Sequence, residues 1–219
     1  MCGRMANTLP PDAMVRLFDA APDNDLPPAP RFNICPTQSV AVVTAEATGR
    51  RYRAMRWGFL PTWYKSPTDG PLLINARAET IAEKPAFRAA CRERRCLVPV
   101  SGFYEWSKDA DGNRLPWYVR PADGAPLVLA GIWQDWAAGN EALTTFAIVT
   151  CAAGAGLSHI HHREPVSLAP EGWGKWLGEE GKGAALLMRP APEGRLAAHR
   201  VDRRVNSNRA EGPELIEPI

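Results

Sequence analysis

The sequence predicts an α+β fold in which strands dominate and form a mainly antiparallel sheet. The apolar segments are short and rich in β-branched and aromatic residues, which favours strands over helices. Asp111-Gly112, Asp123-Gly124 and Gly139-Asn140 place turn signals between these segments at hairpin spacing. A chain of 219 residues is long enough to bury one sizeable core. We therefore expect residues 1–219 to form a single domain.

The first third of the chain is predicted to hold one short helix and two paired strands. Pro10-Pro11-Asp12 precedes apolar residues at helical spacing, which is typical of a helix start. The stretch 21–30 is rich in proline and acidic residues, so we expect a surface loop there. Strands are expected over residues 39–44 and 51–57, and a long irregular loop over 59–71.

The rest of the chain is predicted to hold one longer helix followed by a series of strands. Residues 80–95 are expected to form a helix that Pro85 bends. Residues 171–177 are also predicted to be helical, and the tail from about residue 191 is expected to be irregular. Further strands are expected at 96–100, 103–108, 116–120, 127–136, 143–150 and 161–168.

The composition is ordinary for a soluble globular protein, with 45% hydrophobic and 23% charged residues. No apolar run approaches the roughly 20 residues that span a bilayer. The first residues lack the charged-then-apolar layout of a signal peptide. We therefore expect a cytoplasmic protein with no membrane partner.

Cysteine usage and charge limit the classes of site. The five cysteines include no C-x-x-C pair, so the sequence predicts neither a disulfide framework nor a zinc site. A net charge of +2 is too small to establish a nucleic-acid partner. Eight tryptophans are many for one domain of this size, and some are candidates for exposed stacking platforms.

Cys2 is the first candidate catalytic residue because of its place in the chain. If Met1 is removed, Cys2 carries a thiol and a free α-amine on adjacent carbons. An α-amine with a pKa of roughly 8 is partly unprotonated at neutral pH. Such an aminothiol can attack an acyl group. It can also condense with an aldehyde to a Schiff base, which then closes to a five-membered thiazolidine.

Asn75 and Glu105 are polar residues placed at or within apolar segments. The amide of Asn75 is either a turn residue or a group that holds an amine or a carbonyl, and in an extended chain Arg77 shares its face. Strand alternation puts Glu105 and Phe103 on one face, among aromatic neighbours that partly desolvate the carboxylate. That environment suits general acid–base catalysis. The alternative is a glutamate on the solvent face of an edge strand.

Histidines and an arginine cluster at residues 159–163. In the strand expected there, neighbours face opposite sides, so only one of His161 and His162 can join a given site. His161 and Arg163 would share a face, which places a proton-transfer group beside a guanidinium that can hold phosphate. The sequence offers no further ligands at the spacing that a metal site needs. His159 and His162 are therefore expected to be bystanders.

Short motifs are spread over nearly the whole chain in a defined order. They are Met1–Arg4, Arg31–Thr37, Arg56–Gly58, Asn75–Thr80, Arg95–Pro99, Gly102–Trp106, Ala130–Trp133 and Ile160–Pro165. Together they resemble the SOS response-associated peptidase (SRAP) family, whose members are also called abasic site processing proteins. Each motif is weak alone, but their order and joint presence are highly specific.

The resemblance implies an α+β domain around a barrel-like antiparallel sheet with flanking helices. It also implies self-cleavage that removes Met1 and a thiazolidine crosslink between Cys2 and the aldehyde of an abasic site in single-stranded DNA. Lyase activity and crosslink reversal are further expectations, for a monomer that uses no cofactor. By motif position, the catalytic residues would be Cys2, Asn75, Glu105 and His161. The DNA-binding residues would be Arg4, Asn33, Arg77, Thr150 and Arg163.

Glu164 departs from the family's usual H-x-R-M-P pattern, in which methionine takes its position. A carboxylate next to Arg163 could pair with that guanidinium and weaken DNA binding. Strand alternation instead directs Glu164 away from Arg163.

Two other functions are compatible with the sequence. An N-terminal-nucleophile amidohydrolase also exposes a cysteine after Met1, and Cys2 would then attack the carboxamide of glutamine. A non-enzymatic binder of single-stranded DNA would use the arginines and tryptophans alone, with Cys2 incidental. Crosslinking to abasic DNA through Cys2 separates the family's activity from both.

Overall fold

The computed structural model describes residues 2–219, so the expected loss of Met1 concerns a residue outside the described part. The strands in this range are β1 (Met5–Asn7), β2 (Ala20–Pro22), β3 (Arg31–Ile34), β4 (Ser39–Glu46), β5 (Gly49–Trp57), β6 (Asn75–Arg77), β7 (Arg95–Val100), β8 (Gly102–Lys108), β9 (Arg114–Pro121), β10 (Leu127–Ala138), β11 (Glu141–Ala152), β12 (Arg163–Pro165) and β13 (Leu196–Arg200). The α-helices are α1 (Pro11–Phe18), α2 (Arg88–Glu93) and α3 (Trp173–Leu177). Short 3₁₀ turns lie at Pro170–Gly172, Ala184–Leu187, Arg203–Asn206 and Pro213–Ile216.

Five strands close into a barrel, which confirms the predicted α+β fold around a barrel-like, mainly antiparallel sheet. The order β11-β10-β7-β4-β5 is built from antiparallel pairs, and the long β10–β11 hairpin is its largest component. A parallel pairing of Thr145 with Arg56, and of Phe146 with Trp57, joins β5 to β11 and completes the ring. Closure leaves these strands no free edge to aggregate.

A second sheet, in the order β13-β9-β8-β1-β3, holds the start of the chain. β1 pairs with β8 through Met5 and Phe103, and with β3 through Met5 and Ile34. Because β1 has a partner on each side, the residues just before it have little freedom. The sheet therefore fixes where the N-terminal segment emerges.

Alternate residues of the barrel strands belong to two different hydrophobic clusters. In β7, Cys96 and Val98 pack in a cluster that draws on all five barrel strands and includes Cys2. Leu97, between them, packs in another cluster with Trp176 of α3. Since side chains alternate across a strand and the helices cover the outside, the cluster with Cys2 lies inside the barrel. The N-terminal cysteine thus joins the barrel core.

The helix predicted over residues 80–95 is shorter than expected. Residues 80–87 form a series of turns, and the α-helix is limited to α2. Pro85 explains the difference, because it lacks an N–H and its ring obstructs the preceding helical turn. Arg95 already begins β7, and its guanidinium donates to two carbonyls at the end of α2, at 2.8 and 2.6 Å.

The strand predicted over 161–168 is also shorter, since only β12 and an isolated bridge at Ser167 form there. The tail from residue 191 was expected to be irregular, and this is wrong for β13, which pairs with β9 from Leu196 to Arg200. Leu196–Arg200 contains no β-branched residue and no phenylalanine, tyrosine or tryptophan and so gave no strand signal, and pairing with β9 stabilises the strand instead. β2 likewise occupies the start of the loop predicted over 21–30.

Within residues 2–219, no helix reaches the length and apolarity that crossing a membrane would require.

Candidate active site

Cys2 is fully buried where the barrel core meets the second sheet. The backbone N–H of Tyr104 donates to the carbonyl of Arg4 at 2.9 Å, which extends the β1–β8 pairing towards the N-terminus. Burial, and after it the negative charge of Glu105, raises the pKa of the Cys2 thiol. The thiol is therefore protonated at neutral pH, and any reaction through sulfur needs a base nearby.

Asn75, at the start of β6, binds the backbone of Cys2. Its Nδ2 donates to the carbonyl of Cys2 at 2.8 Å. Its Oδ1 is buried and accepts no hydrogen bond within residues 2–219. β6, which carries Asn75, pairs in parallel with β11, so the amide is fixed by the barrel wall rather than by a mobile loop. The Oδ1 can therefore accept a hydrogen bond from a donor group next to Cys2.

Glu105 lies in β8 and is only 5% exposed. Phe103 packs on the barrel core while Tyr104 packs in a separate cluster, which confirms the predicted alternation along this strand. The alternative of an edge strand is wrong, because β8 lies between β9 and β1. Glu105 is therefore a carboxylate in a largely water-excluded position close enough to Cys2 to affect its pKa.

A cleft of about 260 Å³ opens beside Cys2, at the neighbouring Gly3 and at Glu105. Its walls include Gly3, which follows Cys2, and the two candidate proton carriers, Glu105 and His161. The remaining lining residues carry cations or an indole, and they are Arg4, Trp106, Lys108 and Arg114, with Ser107 between them. The cleft therefore offers a positively charged rim around an acid–base pair.

The proton of His161 can be assigned from its hydrogen bonds. Nδ1 lies 2.9 Å from the backbone N of Arg163 and 3.2 Å from its carbonyl oxygen. Because the N–H can only donate and is the shorter contact, we assign the lone pair to Nδ1 and the proton of the neutral ring to Nε2. Burial lowers the pKa of His161, and the charge of Glu105 opposes this effect. At neutral pH the residue is thus a neutral imidazole that can donate from Nε2.

The predicted opposite orientation of His161 and His162 is wrong. Their rings stack, with centroids 4.2 Å apart and planes inclined by 29°. The alternation rule fails because this stretch is a turn rather than a strand. His162 nevertheless lies on the solvent side of the stack and is exposed.

Arg163 is buried and already bound within the protein. Its Nη1 and Nη2 donate to the two carboxylate oxygens of Glu79 at 2.7 and 2.9 Å. Nη2 also donates to the carbonyl and the hydroxyl of Thr150 at 2.8 and 3.3 Å. Thr150 is fully buried, so it contacts the guanidinium rather than solvent. The side chain of Glu79 is 49% exposed, and it is the partner that an incoming anion can displace.

This ion pair predicts a pH effect on stability. Hydrogen bonds from Arg163 lower the pKa of Glu79 to about 2. The folded-state pKa is below the ordinary value of roughly 4.3, so the stabilisation is present above that value and is lost as pH falls towards 2. In urea unfolding, the wild type should be more stable than Glu79→Gln at about pH 6, and the difference should disappear near pH 2.

A pH-independent difference in stability between Glu79→Gln and the wild type would contradict this prediction. Glu83→Gln, at an exposed carboxylate without an ion pair among residues 2–219, serves as the control.

Arg4 and Asn33 are joined by the C-terminal tail. Arg4 Nη1 donates to Asn33 Oδ1 at 2.7 Å and to the carbonyl of Val205 at 2.8 Å. Asn33 is fully buried, and its Nδ2 donates to the carbonyls of Ser207 and Ala210 at 2.9 and 2.7 Å. Both amide protons of Asn33 are used. The tail, to which no function was assigned from sequence, therefore anchors the residue that follows Gly3.

Glu164 points away from Arg163, as strand alternation predicted. It is 2% exposed, and its two oxygens accept the backbone N–H groups of Gly154 and Ala191 at 3.0 and 2.7 Å. The carboxylate therefore ties the loop before His161 to the tail. It does not pair with the guanidinium of Arg163.

Replacing Glu164 by the family's methionine should lower stability without weakening DNA binding. Glu164→Met leaves the partly buried N–H groups of Gly154 and Ala191 without an acceptor, so we expect the free energy of unfolding to fall by about 2 kcal/mol. Urea denaturation measures this, and anisotropy with a labelled single strand measures affinity. A gain in DNA affinity together with unchanged stability would show that Glu164 acts on Arg163 instead.

The structure thus brings Cys2, Asn75, Glu105 and His161 to one place. Arg77 is exposed at the end of β6. Sequence reasoning missed residues around this centre, although a signal existed for them. Lys108 and Arg114 lie on either side of the Asp111-Gly112 turn, and Glu79 follows Arg77 within the same motif. The missed residues are Glu79, Trp106, Lys108 and Arg114.

Comparison with known proteins gives consistent matches along the whole chain. A family model described as SOS response associated peptidase (SRAP) matches residues 1–208. The abasic site processing protein YoqW of Bacillus subtilis (strain 168) is 32% identical over 225 residues, which cover 99% of each chain. The abasic site processing protein YedK of Escherichia coli (strain K12) is 32% identical over 228 residues and all of both chains. A crystal structure of a protein from Bacteroides thetaiotaomicron shares the fold, with a TM-score of 0.87, 24% identity and complete coverage of both chains.

Proposed function

The chain belongs to the SOS response associated peptidase (SRAP) family, and on that premise we propose that it processes abasic sites in single-stranded DNA. The processing step is a covalent bond between Cys2, freed by loss of Met1, and the aldehyde of the abasic sugar. This assignment follows the name of relatives that match the full chain, and the chemistry follows from the groups around Cys2.

The unpartnered amide oxygen of Asn75 is the observation that carries the proposal. A buried acceptor without a donor costs roughly 1–3 kcal/mol, so such an arrangement calls for a ligand or a reacting group. Asn75 already holds the carbonyl of Cys2 through Nδ2. An α-amine on Cys2 would lie on the same residue and could donate to Oδ1. The amide would then direct the nitrogen lone pair towards the cleft.

The bond-forming sequence balances with the loss of one water. The amine of Cys2 adds to the C1′ aldehyde to give a carbinolamine, which expels water to form a Schiff base. The thiol sulfur then adds to the C=N carbon, and its proton ends on the nitrogen of the thiazolidine. Holding both reactants in place supplies up to roughly 7–11 kcal/mol of the barrier reduction in ideal geometry.

Glu105 and His161 move the protons in this sequence. The thiol is protonated because its pKa is raised, so Glu105 accepts its proton during ring closure and returns it to nitrogen. His161, with its proton on Nε2, donates to the ring oxygen of the closed sugar and helps release the aldehyde. The same carboxylate can run the reaction backwards. It can also assist β-elimination of the 3′ phosphate as a lyase, or the removal of Met1 in self-cleavage.

Cations hold the DNA backbone on the barrel side of Cys2. Arg77 is free to contact a phosphate, and Arg163 does so when the phosphate displaces Glu79. The carbonyl of Thr150 holds the guanidinium of Arg163 by accepting a hydrogen bond from Nη2. Arg4 contributes from the cleft, and Asn33 acts through Arg4, since its own amide protons are used by the tail. Binding by such contacts weakens as salt concentration rises.

An exposed tryptophan explains a preference for unpaired strands. Trp63, in the loop 59–71, is 57% exposed, which is unusual for so large an apolar side chain. Stacking of a base on tryptophan contributes roughly 1–3 kcal/mol and requires a base that is not paired.

The test mixes the Met1-processed protein with a single strand that contains one abasic site. We expect an adduct that survives heating in detergent and whose mass equals protein plus DNA minus one water. An undamaged strand and a duplex with the same abasic site are the controls. Absence of the adduct together with glutamine hydrolysis would favour the amidohydrolase. Equal reversible binding of intact and abasic strands would favour a non-enzymatic binder.

A further inference from the structure

We propose that Lys108 and Arg114 form a phosphate-binding subsite for the DNA strand, on the side of Cys2 opposite to Arg77 and Arg163. This inference rests on the proposed function and deepens it. It assigns the strand a second contact region that extends from the active site along the β8–β9 hairpin.

Lys108 and Arg114 are directly opposite each other in the β8–β9 ladder. Like charges at such a position repel and destabilise a hairpin. Both side chains are exposed, and neither makes an ion pair with a residue in the range 2–219. An arrangement that costs stability and has no internal counter-ion is typical of a site for an external anion.

The nearest acid in the hairpin turn is directed elsewhere. Asp109 accepts the backbone N–H groups of Asp111 and Asn113, at 3.1 and 2.8 Å, and the side-chain amide of Asn113 at 3.0 Å. Among residues 2–219, its one ion-pair partner is Arg203, at 3.9 Å. The carboxylate therefore shapes the turn and leaves the positive charge of the two cations available.

Trp106 fixes the position of the arginine. The guanidinium carbon of Arg114 lies 4.8 Å from the centre of the indole ring, and that of Arg4 lies 5.9 Å from it. The indole N–H donates to Asn206 at 2.7 Å, which holds the ring in place. A guanidinium on an aromatic face is pre-oriented while its N–H groups stay free in the ring plane. Arg114 is thus ordered before any ligand arrives.

The cations share one cleft with the candidate catalytic groups. Lys108 and Arg114 line the cleft that also contains Glu105 and His161. Cys2 lies between two elements, β6 with Asn75 and Arg77 on one side, and β8 with Glu105 and Lys108 on the other. Lys108 is three residues beyond Glu105, roughly 10 Å along the strand. A chain that is held at Cys2 and at Arg77 can therefore continue over the hairpin.

The ligand chemistry is a backbone phosphate rather than a base. Two cations at the mouth of an open cleft supply charge without the paired donors and acceptors that read a base edge. An arginine presents a planar fork that matches phosphate oxygens, and a lysine adds a point charge. The subsite therefore adds affinity for any sequence and does not select bases.

Single-phosphate neutralisation tests the subsite directly. A set of single strands carries one tetrahydrofuran abasic analogue, which sets the register and has no aldehyde to crosslink, and one uncharged methylphosphonate at successive positions. Binding to wild type, Lys108→Ala and Arg114→Ala is measured by anisotropy. We expect each variant to lose roughly tenfold in affinity, and its salt slope to become shallower by about 0.7. At one position outside the phosphates sensed by Arg77→Ala, the methylphosphonate should weaken the wild type but not Arg114→Ala.

Arg88→Ala is the matched control, because Arg88 is an exposed arginine on α2 outside the cleft. It should bind every strand as the wild type does. If Lys108→Ala and Arg114→Ala also match the wild type, or if their losses are the same for every methylphosphonate position, the subsite does not exist. Failure of the wild type to bind any single strand would instead reject the proposed function. Thermal unfolding of each variant excludes loss of fold as the cause of weaker binding.

Discussion

Replacing Cys2 by serine is expected to abolish the heat-stable adduct while leaving a Schiff base that borohydride can trap. The α-amine of residue 2 still attacks the aldehyde, so carbinolamine and Schiff base form as before. The hydroxyl is a far weaker nucleophile than sulfur, and the five-membered ring that it would close reopens in water. Adduct yield without reductant should fall to background, a loss of at least about 10²-fold for a residue that forms the covalent bond.

The measurement compares gel-shifted protein after heating, with and without borohydride, for the wild type and Cys2→Ser. Cys91→Ser is the matched control, because Cys91 is a half-buried free cysteine at α2 and away from the cleft. A stable adduct with Cys2→Ser that needs no reductant would show that sulfur is dispensable. Failure of borohydride to trap Cys2→Ser would show that the amine does not attack first. Intact mass confirms that Met1 is absent from both proteins.

Two residues of the candidate catalytic centre, Asn75 and Glu105, could be predicted from sequence because they lie in strands. Glu105 follows the alternation of a central strand, and Asn75 begins β6 directly after a short apolar run. Period-two patterns fix which way such side chains point. Their meeting at Cys2 could not be derived from the pattern alone, since it depends on the parallel pairing of β6 with β11 and the insertion of β1 beside β8. Only the family resemblance placed them together in advance.

The sequence did not reveal the long-range contacts of Asn33 and Glu79. Asn33 was grouped with the DNA contacts, but its amide is saturated by carbonyls more than 170 residues further on. Contacts over such separations leave no local signature, and the tail itself lacks the periodicity of an element. Glu79 was part of a recognised motif, yet its pairing with Arg163 depends on how two distant strand ends meet at β11.

Glu105→Gln tests the acid–base role with the second large expected effect. Glutamine keeps the size and the hydrogen-bonding capacity of the side chain but can neither accept nor release a proton near neutral pH. Because burial, the main cause of the raised pKa, keeps the Cys2 thiol protonated in the variant as well, ring closure without this base should slow by roughly 10²–10⁴-fold. Single-turnover crosslinking to an abasic strand gives the rate, and anisotropy with an undamaged strand should show unchanged binding.

The pH dependence of Glu105→Gln distinguishes a proton carrier from a residue that merely shapes the cleft. When hydroxide must remove the thiol proton in place of the carboxylate, the crosslinking rate of the variant rises steadily with pH. A structural defect would lower the rate by the same factor at every pH. Glu93→Gln, an exposed carboxylate on α2, should keep the wild-type profile. Retention of half or more of the wild-type rate by Glu105→Gln at neutral pH would remove Glu105 from the mechanism and leave His161 as the only candidate proton carrier beside Cys2.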